Sequence, residues 1–384
     1  MEPGQDQERA SATLSASRLD AFFSVPGTPS REQCDKYALS ITGHKRCRAA
    51  SAQGCQSYTL ICEGRPRSMK PEGDETWYDV EVVQFRLGES RLNLELIKTA
   101  RVIHGDIVPE TWLAAPLGNL LVYVSEMKAG LCPRDLAPTT SMMKKSQHGL
   151  LEKFMEGLAQ YFKSCWVSKL DHLVHPDSQD TRVVRTWDRM QLLRESPTGA
   201  FVGKHIELVE QNMAYVHEPS HGQILMHGDL NLTNFLVDPA TFEINGLVDW
   251  ASAKYEQFGY ELYIVQMSTG YNTTMENGGF VFYNNHKQLK RAFWKALFKH
   301  LRIESLDEQA LFKETLRPAW RLGLILREAF VHSADGRITN QVVVPSPDTG
   351  VQLLQLQRLL DDEDDFFELP PAAQGSMLLL PEAP

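Results

Sequence analysis

The segment from His227 to Asn234 carries polar side chains whose types and spacing suit phosphoryl transfer. Its sequence is H-G-D-L-N-L-T-N, and it lies between two apolar runs. The second run ends in V-D-W, which places Asp249 15 residues after Asn234. Phosphoryl transfer from a nucleotide needs a carboxylate near the acceptor hydroxyl, and an amide oxygen plus another carboxylate that hold Mg²⁺ on the phosphates. Asp229, Asn234 and Asp249 supply these groups.

The same residues resemble the motif of the aminoglycoside phosphotransferase and choline kinase family. That family shares the bilobal fold of protein kinases and has the pattern H-x-D-x-x-x-x-N followed by an aspartate, often in I-D-W. The resemblance implies that Asp229 is the catalytic base or orients the acceptor, and that Asn234 and Asp249 bind Mg²⁺. It also implies that His227 packs beneath the loop and hydrogen-bonds its backbone. ATP would donate the γ-phosphate to a hydroxyl group of a small molecule.

Residues 53–59, Q-G-C-Q-S-Y-T, precede the first predicted strand and match the G-x-x-S-Y loop of the resembling family. The resemblance implies that backbone N–H groups around Gly54 and the hydroxyl of Ser57 face phosphate oxygens. From the residues alone, a simple tight turn is an equally good interpretation.

Arg86 stands where protein kinases have a strand lysine that contacts the α and β phosphates. The strand V-V-Q-F-R-L has no lysine, and its Gln84 and Arg86 share one face. Members of the resembling family often have arginine here, and a guanidinium binds phosphate with two donors. Glu95, on the following predicted helix, would be its ion-pair partner. For each residue the alternative is an ordinary solvated charge.

The sequence Y-V-S-E-M-K-A-G, residues 123–130, runs out of a predicted strand into a glycine at the junction of two predicted lobes. In the resembling family this linker binds adenine through backbone groups, so Glu126 and Met127 are positional candidates. An edge strand that ends in a loop is the equal alternative.

The residues from Asp249 onward, D-W-A-S-A-K-Y-E-Q-F-G-Y-E-L-Y, resemble a fungal branch of these phosphotransferases, in which D-W-A-x-A is followed by P-F-G. Gln257 stands where that branch has proline. The V-Q-F-R strand and the Q-G-x-x-S-Y loop also match, so the resemblance covers about residues 31–335.

The hydrophobic pattern predicts an α+β protein of two lobes that positions these residues. Residues 31–127 are predicted as the nucleotide-binding lobe: a capped helix between Ser30 and Gly43, strands at 57–63 and 77–87, a helix at 89–104, and strands at 111–116 and 119–127. Residues 128–360 are predicted as a larger, mainly helical catalytic and acceptor-binding lobe. Residues 1–30 are predicted as a disordered tail that docks only through L-D-A-F-F, and 361–384 as an acidic tail.

Composition excludes several classes of protein. The chain has 39 Lys plus Arg against 49 Asp plus Glu, a net charge of −10 that does not favour a nucleic-acid partner. Seven of these acids and no base lie in residues 361–384, so −10 + 7 leaves −3 for the remainder. The six cysteines show no C-x-x-C pair, and no run suits a signal peptide or a membrane span. We therefore expect a cytoplasmic protein with no membrane partner.

The sequence does not identify the molecule that accepts the phosphate. Acidic and aromatic residues after Asp249 would suit a cationic amine, and arginines there would suit an acid. The candidate pocket residues are Glu256, Tyr260, Glu261, Tyr263, Tyr271, Trp294, Trp320, Arg321 and Arg327. The unusual Gly54 loop and the missing strand lysine also leave a second hypothesis, a catalytically silent nucleotide-binding or scaffolding pseudokinase.

Overall fold

The computed structural model describes residues 18–51, 53, 56–64, 79–142, 144–170, 179–218, 222–333 and 338–368. These residues form two compact units. The first contains the described residues up to Ala129 together with Gly246–Ser252, and the second contains the other described residues.

The first unit is built on an antiparallel sheet of five strands in the order β1-β2-β3-β5-β4. The four predicted strands correspond to β2 to β5, and β1 is an additional edge strand whose four residues, R-C-R-A, are too short and too exposed to give an apolar signal. The elements are α1 (Arg31–Thr42), β1 (Arg46–Ala49), β2 (Ser57–Glu63), β3 (Val80–Leu87), α2 (Leu94–His104), β4 (Thr111–Leu113) and β5 (Leu120–Glu126).

Helix α1 has the predicted caps. The Ser30 hydroxyl accepts a hydrogen bond from the backbone N–H of Gln33, whose side chain accepts one from the N–H of Ser30. Gly43 ends the helix with a φ of 68°, a left-handed conformation that glycine adopts without steric cost.

The predicted N-terminal tail needs correction for residues 18–30. Residues 18–23 are helical, and Phe22 is buried in the core of the first unit together with Tyr58 and Phe85. The ring of Phe23 packs edge-on against Tyr58 at 5.1 Å. The apolar residues of L-D-A-F-F thus order this segment, because their burial removes a large aromatic surface from water. Residues 1–17 lie outside the described residues.

The second unit is mainly helical, as predicted. Its small sheets pair β6 with β9, β7 with β8, β10 with β11 and β12 with β13. In chain order the elements are α3 (Pro133–Leu136), α4 (Lys145–Val167), α5 (Gln179–Arg194), α6 (Gly199–Val216), β6 (Gln223–Met226), β7 (Phe235–Val237), β8 (Ile244–Leu247), β9 (Lys254–Gln257), α7 (Tyr263–Met267), β10 (Gly270–Asn272), β11 (Phe280–Phe282), α8 (His286–Leu301), α9 (Leu306–Glu328), β12 (Phe330–His332), β13 (Ile338–Val342), α10 (Gly350–Asp361) and α11 (Glu363–Phe366).

The core of the second unit follows from the apolar stripes of its long helices. On α4, Phe154, Leu158 and Phe162 are buried at helical spacing. The ring of Phe162 meets Phe293 of α8 edge-on at 5.8 Å, so these two helices pack through aromatic side chains. None of the described helices is long and apolar enough to cross a membrane.

The predicted acidic tail also needs correction, because residues 361–368 belong to the folded second unit. Phe366 and Phe367 are fully buried, and the indole N–H of Trp294 donates to the carbonyl of Phe366 at 2.8 Å. Each acidic side chain of residues 361–368 pairs with a base. The pairs are Asp361–Lys204, Asp362–Lys290, Glu363–Arg321, Asp364–Arg317, Asp365–Lys287 and Glu368–Arg291. Residues 369–384 lie outside the described residues.

We expect Phe366→Ala to lower the free energy of unfolding by about 3–5 kcal/mol, because it leaves a cavity against Trp294 and Trp320. Denaturant unfolding of the full chain measures this loss. Asp364→Ala is the control, since that side chain is 97% exposed. Equal unfolding midpoints for the two variants would contradict a structural role for this segment.

Candidate functional site

The loop between β6 and β7 carries Asp229 and Asn234. Strand β6 is buried along its whole length, which anchors the start of the loop. His227 follows it and is itself fully buried. Its ring nitrogen Nδ1 accepts the backbone N–H of Asp229 at 3.3 Å. His227 thus packs beneath the loop and orients its backbone, which is the role that the sequence predicted for it.

A second buried side chain holds the same loop. The carboxylate of Glu261 is 3% exposed and accepts two backbone N–H groups, from His227 at 3.1 Å and from Gly228 at 2.7 Å. Burial raises the pKa of the Glu261 carboxyl, and His227 with the two N–H donors limits that rise. Gly228 has a φ of 83°, which glycine tolerates without strain and which lets the chain turn towards Asp229.

Asn234 completes the loop. Its side-chain Nδ2 donates to the backbone carbonyl of Asp229 at 2.8 Å, and Asn231 donates to the same carbonyl at 3.2 Å. Asn234 is largely buried, and its Oδ1 accepts no hydrogen bond from any residue that the structure describes. This amide oxygen is therefore available to a ligand, and amide oxygens are ordinary ligands for Mg²⁺.

Arg327, near the end of α9, contacts Asp229 directly. Its guanidinium NH1 lies 3.0 Å from Asp229 Oδ1 and 3.0 Å from the hydroxyl of Tyr263. That hydroxyl donates to the backbone carbonyl of Leu230, and the guanidinium lies 4.9 Å above the Tyr263 ring. The Asp229 side chain remains 45% exposed, so one side of its carboxylate faces solvent while Oδ1 is held.

Arg327 is itself held in place by Glu328, which accepts from its Nε at 2.9 Å. Burial acts to lower the pKa of Arg327, but Tyr263, Glu328 and Asp229 together raise it above its ordinary value. The guanidinium therefore stays charged and fixes the direction of the Asp229 carboxylate.

Asp249 lies in the first unit and is exposed. Its φ of 64° is left-handed, a conformation that costs an aspartate about 1 kcal/mol and often occurs at functional positions. The following Trp250 is buried, donates to the carbonyl of Leu247 at 2.9 Å and lies 5.7 Å from the ring of His104. These contacts hold the turn that presents Asp249.

The predicted phosphate loop is only partly described. Gly54 lies outside the described residues. Ser57, the first residue of β2, is buried, and its hydroxyl lies 3.4 Å from that of Thr59. Gln53 organises the segment, because its side chain donates to the carbonyls of Ala50 and Thr59 and accepts the N–H of Thr59.

The predicted ion pair between Arg86 and Glu95 is wrong. Arg86 is buried and donates from Nε to the carbonyl of Ser90 at 2.7 Å. The Glu95 carboxylate is 82% exposed and pairs with Lys98, one turn along α2. Helix α2 points this side chain into solvent because Ile97 and Ala100 form its buried face.

Glu126 ends β5 and is tied into the first unit by both its backbone and its side chain. Its N–H donates to the carbonyl of Glu110 at 2.9 Å, and its carboxylate pairs with Lys128 at 2.6 Å and Arg101 at 3.4 Å. Met127 follows with a 37% exposed side chain.

Most of the predicted acceptor-pocket residues serve the structure instead. Glu256 pairs with the buried Arg182 at 2.7 Å, and Arg321 pairs with Glu363. The remaining aromatic candidates are buried or stacked: Tyr260 and Trp294 are about 5% exposed, Trp320 is fully buried, and Tyr271 stacks on Tyr283 at 5.8 Å. Among the described charged candidates, only Arg327 contacts Asp229.

Sequence reasoning named Glu261, Tyr263 and Arg327 but missed what they do. Glu261 belongs to G-Y-E-L-Y, and a lone acid inside an apolar run was the signal for a buried carboxylate with a fixed partner. No local signal joins Arg327 to Asp229, which precedes it by 98 residues.

A model of the phosphotransferase enzyme family matches residues 168–322, which include the loop at Asp229 and the turn at Asp249. No curated protein matches the chain in sequence at a significant level.

Several solved structures match the chain at low sequence identity. An amicoumacin kinase in complex with AMP-PNP and Ca²⁺ matches with a TM-score of 0.51 and 13% identity over 89% of this chain and 96% of that one. A choline kinase from Cryptosporidium parvum matches with a TM-score of 0.49 and 10% identity over 86% and 90% of the two chains. The ethanolamine kinase of Plasmodium vivax matches with a TM-score of 0.46 and 10% identity over 82% and 86%. The amicoumacin kinase match confirms the predicted kinase-like fold class.

We expect Glu261→Ala to lower the free energy of unfolding by about 2–4 kcal/mol, because the backbone N–H groups of the buried His227 and the partly buried Gly228 lose their acceptor. Glu261→Gln keeps one acceptor oxygen and should lose less. Denaturant unfolding measures both, with Glu243→Ala at an exposed position as the control. If Glu261→Ala is as stable as the control, the carboxylate does not hold the loop.

Proposed function

Because residues 168–322 match a model of the phosphotransferase enzyme family, we propose that this protein is an ATP- and Mg²⁺-dependent small-molecule kinase that phosphorylates a hydroxyl group. The observation that carries the proposal is the Asp229 loop. It combines a half-exposed carboxylate, held by Arg327 at one oxygen, with an amide oxygen of Asn234 that no described donor occupies. These are the groups that acceptor orientation and metal binding require.

The donor set fits magnesium. Asn234 offers a neutral amide oxygen and Asp249 an exposed carboxylate, and both are hard oxygen ligands. As the sequence motif implies, Asn234 and Asp249 would each serve as a ligand for Mg²⁺, and the ion would neutralise charge on the phosphates of ATP. Ser57, Arg86 and Met127 remain the proposed nucleotide contacts, together with Gly54 and the backbone of Glu126.

Asp229 has the central chemical role in this proposal. Its free carboxylate oxygen would accept the proton of the acceptor hydroxyl while the hydroxyl oxygen bonds to the γ-phosphorus. The bond from that phosphorus to the bridging oxygen of ADP would break, and ADP would leave. Arg327 holds the other oxygen, and Tyr263 ties Arg327 to the loop through Leu230. The acceptor hydroxyl thus meets a carboxylate of fixed direction, which lowers the entropic part of the barrier.

A catalytically silent nucleotide-binding protein is the second candidate. The specific observation in its favour is that the Glu95 carboxylate faces solvent and pairs with Lys98, not with Arg86. The two candidates make different predictions for transfer, because only the kinase moves phosphate to an acceptor.

We expect the parent protein to bind Mg·ATP and to phosphorylate at least one member of a panel of amino alcohols, aminoglycosides, sugars and hydroxy acids. Asp229→Asn should keep nucleotide binding and lose about 10²–10⁴-fold in kcat. Calorimetry and transfer of labelled γ-phosphate measure the two steps. The exposed Asp188→Asn is the matched control.

Two results would overturn this proposal. Absence of Mg·ATP binding by the parent would exclude both the kinase and the silent nucleotide-binding protein. Full transfer activity in Asp229→Asn would exclude the role given to that carboxylate.

Replacement of Arg327 should slow transfer without weakening nucleotide binding. We expect Arg327→Ala to lower kcat about 10–100-fold at an unchanged KM for ATP, because Asp229 loses its orienting partner. Added guanidinium at millimolar concentration should restore part of the activity, and equal NaCl should not. A loss confined to KM for ATP, or no response to guanidinium, would count against this orienting role.

A further inference from the structure

The surface of α8 carries a row of four basic residues, and carboxylates pair with only the first two of them. Lys287, Arg291, Lys295 and Lys299 are spaced by four residues and are therefore neighbours along the helix. Residues 361–368 cover the start of this row and pair with its bases. The pairs are Lys287 with Asp365 at 2.8 Å and Arg291 with Glu368 at 2.9 Å, and beside the row Lys290 pairs with Asp362 at 2.5 Å.

Beyond Arg291 the row borders a cavity of about 690 Å³. Trp294, Phe298 and Phe366 supply its apolar wall, and all three are buried. Its size lies within the range of about 300–1,000 Å³ typical of small-molecule sites. A cavity of this size with an aromatic wall suits a small organic molecule.

The cavity has an excess of positive charge. Among the described residues, Lys295, Lys299 and Arg302 line it without pairing with any carboxylate. Of the acids that line it, Asp365 and Glu368 are paired with bases of α8, and Glu304 alone is not. Repulsion among the unpaired cations makes an anion the favoured occupant.

Lys313 adds a buried ammonium group to the same cavity. Its Nζ donates to the backbone carbonyl of Glu368 at 2.7 Å and lies 5.1 Å from the centre of the Trp294 ring. Burial lowers the pKa of Lys313 to about 8. An ammonium has three donors, and the carbonyl of Glu368 is its one hydrogen-bond acceptor in the described part of the chain. An anion in the cavity would supply the missing acceptors.

Arg302 stands at a position that disfavours any residue with a side chain. It follows α8 with φ 59° and ψ 36°, the left-handed conformation in which glycine usually ends a helix. An arginine here is strained, and such strain persists where the side chain has a use. Arg302 lines the cavity, where its charge adds to that of Lys299.

We propose that this cavity binds a small organic phosphate, with the phosphate group on Lys299, Arg302 and Lys313 and the apolar body against Trp294 and Phe298. A phosphate monoester carries up to two negative charges and offers three terminal oxygens, which matches several cations better than a single carboxylate does. The site is built from α8, α9, the loop that joins these two helices and residues 361–368, and it does not depend on the proposed transfer reaction.

Phenyl phosphate is the probe, because it combines the two parts of the proposed ligand. Calorimetry on the full chain, with indole fluorescence as a second readout, should show phenyl phosphate binding about tenfold or more tightly than inorganic phosphate, phenol or benzoate. Equal binding of benzoate would overturn the assignment to phosphates, and equal binding of inorganic phosphate would overturn the role of the aromatic wall.

Two variants test whether phenyl phosphate binds in this cavity. Arg302→Gly removes a cation and relieves backbone strain, so it should weaken binding about tenfold without lowering the melting temperature. Lys299→Gln should weaken binding similarly, and Lys36→Gln, an exposed lysine of the first unit, should not. If phenyl phosphate does not bind the parent, or binds all four proteins equally, the proposal is wrong.

Discussion

The position of Asp229 depends on one buried carboxylate. Glu261 lies just before α7 and accepts hydrogen bonds from the backbone N–H groups of His227 and Gly228, so it fixes the turn before Asp229. A buried charge of this kind is tolerated only when hydrogen bonds replace the lost water. Here the two donors fix both the carboxylate and the loop. Together with His227, Glu261 provides the rigid frame for the contacts of Arg327 and Asn234 with Asp229.

The sequence predicted the parts of the site that are local. Asp229 and Asn234 are five residues apart, and the hydrogen bond from Asn234 to the Asp229 carbonyl joins them within one loop. Strands β2 and β3 follow from their β-branched and aromatic residues. Edge strand β1 has little apolar signal, and the contact of Arg327 with Asp229 joins distant segments, so no local pattern could have predicted either.

The structure also explains why charged residues near the motif could not indicate the acceptor. Glu256 and Arg321 each have an internal partner, so neither offers a free charge to a substrate. Arg327 is shared between Asp229 and Glu328. A charged residue in a sequence indicates that an oppositely charged partner is possible. The fold determines whether that partner lies within the protein or on a ligand.

The same reasoning changes the meaning of the net charge. With residues 361–384 treated as a separate acidic tail, the rest of the chain has a net charge of −3. That treatment assumes that the acids of the tail make no contact with the folded protein. Six of those acids instead lie against bases of α6, α8 and α9 and cancel a basic surface. The local charge at the cavity comes from the bases that these acids do not reach. Lys295, Lys299 and Arg302 line the cavity and keep a positive charge that no described carboxylate pairs with. A chain with a net charge of −10 therefore presents a positive cavity, because potential at a site depends on nearby pairs and not on the total.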